Sequence, residues 1–189
     1  MRLFFCIELD DQTRKRLDKI SKTLRERTAA RVNWVHQENL HATVKFLGEV
    51  EAGRVEELRE AVQQALIGIA PSEMVIDRLG VFPNPDRPRV LWVGSETTPQ
   101  EILQLHDALE AQLEVLGFER DRNRYHFHIT LGRVKERSRW KVEALARAIQ
   151  RFELDTSYPI RVDELALMES TLTREGPIYQ PVFRLAFGE

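Results

Sequence analysis

The chain has 189 residues, 42% of them apolar, which suits one domain or two small, closely packed lobes with a sizeable core. Basic and acidic residues nearly balance, 28 against 30 for a net charge of −2, which excludes a protein held to nucleic acid by bulk charge and leaves room only for a local basic site. The single cysteine, Cys6, excludes an intramolecular disulfide and a zinc site built from several cysteines.

No apolar stretch approaches the ~20 residues of a membrane span. Arg2 is followed by only five apolar residues before Glu8, which is not the form of a signal peptide, so a cytoplasmic location is expected. Residues 2–9 (RLFFCIEL) read as a buried strand with Cys6 inside it. Residues 11–28 read as a helix that Asp10 or Asp11 can cap, with Leu17, Ile20 and Leu24 on one stripe. VNWV at 32–35 and HATVKFLG at 41–48 are strand candidates, and 51–69 carries Val55, Leu58, Val62, Ala65 and Leu66 at helical spacing. Strands are expected at 74–82 and 89–94, separated by the turn chemistry of PNPDRP at 83–88. A helix over 99–116 stops at Gly117. A strand over 125–134, a helix over 139–152 and strands over 158–169 and 178–187 complete the chain. Strands fall in adjacent pairs between helices, which predicts an α+β fold with antiparallel sheets.

Two segments echo each other. His41-Ala42-Thr43 and His128-Ile129-Thr130 lie 87 residues apart, each on an alternating strand and each followed by a helix. In a strand, alternate side chains share a face. His41, Thr43 and Lys45 are thus expected on one face, and His126, His128 and Thr130 on the corresponding face of the second strand. Chance alone yields about 0.3 His-x-Thr matches in this composition, so one copy would mean little and two in matching contexts mean more. Two imidazoles, one neutral and one protonated, on opposite sides of a phosphorus can deprotonate a water and protonate a leaving oxygen. Two threonine hydroxyls can donate to the non-bridging oxygens, with neither metal nor cofactor. Structural histidines on half-exposed strands are the plainer alternative.

HATVKFLGEV and HFHITLGRV resemble the two HxTx motifs of the 2H phosphoesterases. More narrowly, RLFFCIEL, VNWVHQENLHATVKFLGEV and GVFPNPDRPRVLWVG make the chain similar to the bacterial and archaeal RNA 2',3'-cyclic phosphodiesterases, also called 2'-5' RNA ligases. The resemblance spans nearly the whole chain. It implies one bilobal domain over residues 1–189, with two antiparallel sheets in pseudo-two-fold symmetry around a central cleft and helices outside. It also implies hydrolysis of RNA 2',3'-cyclic phosphate ends to 2'-phosphomonoesters, with 2'-5' joining in vitro. His41 would be the proton donor and His128 the acceptor, a distinction the near-symmetric motifs do not themselves make. Family members often carry proline just before the second histidine, where this chain has Phe127.

Further substrate contacts are expected from Arg133, Phe82, Arg89, His126 and Tyr125. Strict alternation puts Arg133 on the core face unless the strand ends or bulges at Gly132. Phe82 is the candidate for stacking on a terminal base, with core packing the better reading of Trp34 and Trp92. Arg87, Arg89, Arg120, Arg122, Arg124, Lys135, Arg137 and Arg139 can track phosphates or simply be solvated. His126-x-His128 admits a metal reading, but further ligands at close spacing are missing from the sequence, so no metal is expected. The expected partners are RNA 3' ends and nucleotides, with no membrane, for a monomeric protein. Two rivals remain open: an RNA-end or nucleotide binding module without turnover, and a cyclic phosphodiesterase acting on small nucleotides such as ADP-ribose cyclic phosphate.

Overall fold

The computed structural model describes residues 1–154 and 158–188. Its elements run β1 (Arg2–Glu8), α1 (Asp11–Glu26), β2 (Val32–Trp34), β3 (His41–Glu49), α2 (Val55–Leu66), β4 (Ser72–Ile76), β5 (Arg78–Phe82), β6 (Val90–Gly94), α3 (Gln100–Val115), β7 (His128–Val134), α4 (Arg139–Gln150), β8 (Tyr158–Val162), β9 (Glu164–Thr173) and β10 (Gly176–Ala186). The four helices fall within the expected ranges, α2 being the shortest against expectation because residues 52–54 form a 3-10 turn before it. Asp10 caps α1, its carboxylate accepting from Thr13 N at 2.7 Å and from the Thr13 hydroxyl at 2.9 Å. Past α3, Gly117 takes φ +85°, and Phe118 N returns to Leu113 O at 3.0 Å.

The large sheet has the order β10-β9-β1-β3-β7-β6-β5, with β2 also on β7, and every pairing is antiparallel. A second sheet pairs β4 with β8. Between the lobes, β3 pairs with β7 at a single partner pair, Ala42 and Ile129. One core runs through both lobes, joining Phe5, Leu17, Leu58, Leu109, Phe127 and Leu145 among others, all at most 1% exposed. A smaller cluster of Phe4, Cys6, Ala166 and Met168, with Tyr179 against it, covers the other face of the first lobe. Burial in this cluster pushes the Cys6 thiol upward, which fits the core role expected of it.

Three expected strands differ. The run 74–82 divides at Asp77 and the run 158–169 divides at Asp163. At each aspartate the chain leaves the small sheet for the large one, and alternation carries no mark of a strand that changes partner. The pairing of β7 starts at His128 rather than 125, because Phe127 N is taken by the Thr98 hydroxyl at 3.0 Å. Phe127 itself is fully buried.

The lobes repeat each other residue for residue. Against β3, Phe4, Phe5, Cys6, Ile7 and Glu8 face Phe46, Lys45, Thr43, Ala42 and His41. Against β7, Val90, Leu91, Trp92, Val93 and Gly94 face Arg133, Gly132, Thr130, Ile129 and His128. In both, the residue after the threonine, Val44 or Leu131, has no partner, and burial follows the same pattern from histidine onward. Such a bulge shifts the alternation by one. It corrects the placement of Lys45, which turns away from His41 to the helix side and is 3% exposed, while Phe46 comes to the histidine face. It also puts Arg133 in the open, as the Gly132 alternative required. Gly132 itself is needed for close approach, since a Cβ there would lie 2.6 Å from Val32 Cγ1 on β2.

Candidate active site

Side chains of Ala42 and Ile129 point into the core, so the flanking His41, Thr43, His128 and Thr130 point to the opposite face, around the axis relating the lobes. Each histidine is braced the same way. His41 Nδ1 lies 2.8 Å from Asn39 O, and His128 Nδ1 lies 2.8 Å from His126 O. A carbonyl only accepts, so each Nδ1 carries the hydrogen and each Nε2 is left for chemistry. At His41, Nε2 is 3.0 Å from Thr43 Oγ1, which donates to it in the neutral ring. Among the described residues no such bond joins His128 to Thr130.

Burial lowers both imidazoles below their ordinary value. His41 falls to about 4, chiefly by desolvation, with His128 and Arg14 lowering it further and the Asn39 carbonyl and Glu8 opposing. His128 is lowered chiefly by desolvation, with His126 and Arg133 adding to it and the His126 carbonyl opposing. Both rings are therefore neutral at pH 7 in the free protein. An anion bound beside either ring would favour its imidazolium form.

The two rings have different walls. Around His41 stand Phe4, at 4.9 Å between centroids, and Tyr179, edge-on at 5.2 Å. Glu8, opposite His41 in the sheet, is held by Arg184 at 2.5 and 3.2 Å. Around His128 stand Phe82, edge-on at 5.0 Å, then Trp92 and His126. Phe82 stacks on Trp92 at 5.0 Å, so one of its faces is already covered, and Trp92 is buried as expected. Trp34 is only half-buried, beneath Arg25. His126 sits 4.7 Å from the Trp92 ring.

Arg133 and Arg89 are exposed next to this end; Arg89 O accepts from Val134 N at 2.9 Å, tying the β5–β6 loop to β7. Tyr125, expected at the substrate, is already engaged elsewhere. Its hydroxyl donates to Thr43 O at 3.1 Å and its ring stacks on His106 at 4.5 Å, so it braces the first motif's strand. His106 joins a charge cluster. Lys45 Nζ lies 2.7 Å from Glu110, 2.9 Å from Asp121 and 2.8 Å from Glu119 O. His106, Glu110 and Asp121 have the spacing of metal ligands, but the ammonium of Lys45 already lies between the two carboxylates.

Sequence reasoning missed Asn39, Glu8, Phe4, Tyr179 and the Lys45 cluster. Asn39 acts through its backbone carbonyl, which no residue type advertises. Phe4 carried a faint signal, since it shares a parity with Cys6 and not with Phe5.

Two His-x-Thr strands that pair antiparallel at Ala42 and Ile129, each histidine oriented through Nδ1, form the candidate site of a phosphoesterase fold. The chain belongs to the LigT-like phosphoesterase family, whose model matches residues 7–92 and again residues 93–179, once in each half of the sequence. It is 38% identical over 188 residues to an RNA 2',3'-cyclic phosphodiesterase of Methanothermobacter thermautotrophicus, covering 98% of this chain and 99% of that one. It is 32% identical over 180 residues to the protein of that name from Archaeoglobus fulgidus, covering 95% and 97%. Its fold matches the crystal structure of E. coli LigT complexed with 3'-AMP at a TM-score of 0.76 and 27% identity, over 100% of this chain and 98% of that one.

Proposed function

We propose that the protein hydrolyses the 2',3'-cyclic phosphate at RNA 3' ends and leaves a 2'-phosphomonoester. The observation that carries this reading is the pair of Nδ1-braced imidazoles with their Nε2 atoms on one face about the Ala42–Ile129 pair. Water attacks phosphorus while His128 Nε2 takes its proton. The bond from phosphorus to the 3'-oxygen breaks, and that oxygen receives the proton from His41 Nε2. Once His41 is protonated, its Nε2 no longer accepts from Thr43, and that hydroxyl is released to donate to a non-bridging oxygen. Thr130 and Arg133 serve the others, and Arg89 lies beside Arg133.

Arg133 favours the neutral ring at His128, which suits a proton acceptor; at His41, Glu8 favours the imidazolium while Arg14 and His128 oppose it, and desolvation outweighs these charges at both rings. Phe82 and His126 wall the side on which a terminal base would rest. With a ribose 5'-hydroxyl in place of water, the same proton transfers give a 2'-5' linkage. Both histidines come from one chain, which supports action as a monomer, and an RNA substrate supports a cytoplasmic location.

The test is incubation with a short RNA ending in 2',3'-cyclic phosphate, with product identified by mass and by phosphorus NMR. Conversion to the 2'-phosphate, unchanged by EDTA, is expected. Stoichiometric binding without product would overturn the reading in favour of a binding module. Turnover of ADP-ribose 1'',2''-cyclic phosphate far above that of RNA ends would move the substrate to small nucleotides.

A further inference from the structure

The second lobe carries a groove of about 1140 Å³ that begins at Arg133 and Arg89 and extends beyond what the hydrolytic step uses. Arg87, Arg89, Arg133, Lys135, Arg137 and Arg147 line it, with Arg139 at its edge. Against these seven cations stand three acids, Asp86, Glu136 and Glu143, in a chain whose net charge is −2. Two of the three acids are engaged. Glu136 accepts from Arg31 N at 3.1 Å and from Arg137 N and Ser138 N at 2.9 Å, which builds the turn into α4. Glu143 accepts from Arg139 Nε at 2.9 Å. Among the described residues, the six named cations have no carboxylate within ion-pairing distance. The first turn of α4 also borders the groove, with the positive end of its dipole and its unpaired N–H groups.

Unneutralised cations gathered in one concavity repel one another and are stabilised by a polyanion. Their position names the polyanion. Arg133 stands at the cleft beside His128, and Lys135 and Arg137 continue away from it along the segment that follows β7. A cyclic phosphate terminates the 3' end of a strand, so the rest of the RNA can leave the cleft only in the 5' direction. We propose that this groove binds the phosphodiester backbone of single-stranded RNA on the 5' side of the terminal nucleotide, so that the preferred substrate is an oligonucleotide rather than a cyclic mononucleotide. This rests on the cyclic phosphodiesterase reading above, and the two are separable because a mononucleotide tests the chemistry alone.

The test uses Lys135→Glu/Arg137→Glu/Arg147→Glu, three exposed positions outside the catalytic machinery. Turnover is measured on a 2',3'-cyclic mononucleotide and on an oligonucleotide with the same terminal base. The mononucleotide kcat/KM is expected to stay within about twofold, and the oligonucleotide kcat/KM to fall at least about tenfold, through KM. Uncharged glutamines at the three positions should flatten the slope of log kcat/KM against log salt by about 2 for the oligonucleotide, each lost phosphate contact counting about 0.7. Lys15→Glu/Lys19→Glu/Lys22→Glu on α1 is the control for bulk charge. Equal losses in the α1 variant, or oligonucleotide turnover unchanged in the groove variant, would overturn the proposal. Loss of mononucleotide and oligonucleotide turnover alike would also count against it, since the groove would then not be separate from the cleft.

Discussion

The lobe around His41 and the lobe around His128 share a backbone and differ in nearly every side chain laid on it. Register, bulge and the carbonyl behind Nδ1 coincide. At matching positions the first lobe has Glu8, Cys6, Lys45 and Phe46 where the second has Gly94, Trp92, Gly132 and Arg133. Backbone geometry thus aims the two imidazoles, and the changed neighbours set what each one does. The first lobe is closed by aromatics and a buried ion cluster; the second opens into a basic groove.

The sharpest way to break this comparison is to remove each imidazole in turn. His41→Ala and His128→Ala should each lower kcat by at least about 10³-fold, near the upper part of what one positioned acid or base contributes. Circular dichroism should show both variants folded, since both rings are only half-buried. If either variant kept more than a tenth of the activity, the two lobes would not act as a pair.

The next effect is on stability and belongs to one lobe only. Lys45→Met leaves Glu110, 5% exposed, without its cation. Breaking a buried pair in this way costs about 3–5 kcal/mol, which urea unfolding at constant m would register. A loss below about 1 kcal/mol would mean that His106 or solvent compensates for the missing ammonium. The second lobe has no counterpart, because Gly132 fills that position against β2.

Lys45 also marks the limit of what the sequence revealed. Period-two alternation placed His41, Thr43, His128 and Thr130 on one face, because the strands are regular up to the threonine. One residue later the bulge reverses the parity, and an ordinary valine or leucine at the bulge gives no notice of it. The helices were legible because their stripes run three or four turns without interruption. The partner switches at Asp77 and Asp163 were not, because two short strands in different sheets can keep one alternating pattern. The parity argument did expose Arg133 as a residue needing a bulge, and the structure has that bulge at Leu131.

Arg133→Ala should lower kcat/KM about 10- to 100-fold, the value of a lost charge-assisted hydrogen bond to phosphate. Phe46→Ala, at the matching place in the first lobe, should cost severalfold at most, since it removes no charge. Equal effects from the two changes would show that the lobes share the phosphate evenly, against the division of roles argued above.

The smallest expected effect is a displacement of pH profiles. In the free protein both imidazoles titrate below their ordinary value, His41 at about 4. The profile of kcat/KM reports that state, so its optimum should lie on the acid side of 6.5, the ordinary histidine value. The profile of kcat reports the complex, where the bound anion favours imidazolium, so it should lie at higher pH than that of kcat/KM. Arg133 holds His128 down, so Arg133→Ala should move the alkaline limb of kcat/KM upward, while Phe46→Ala, lacking a charge to remove, should leave it in place. Rate measurements across pH 4–9 on the two variants and the parent decide this. Coincident kcat and kcat/KM profiles in the parent would mean that the phosphate does not sit between the two rings, and an upward shift of the acid limb instead of the alkaline one in Arg133→Ala would mean that the arginine acts on His41.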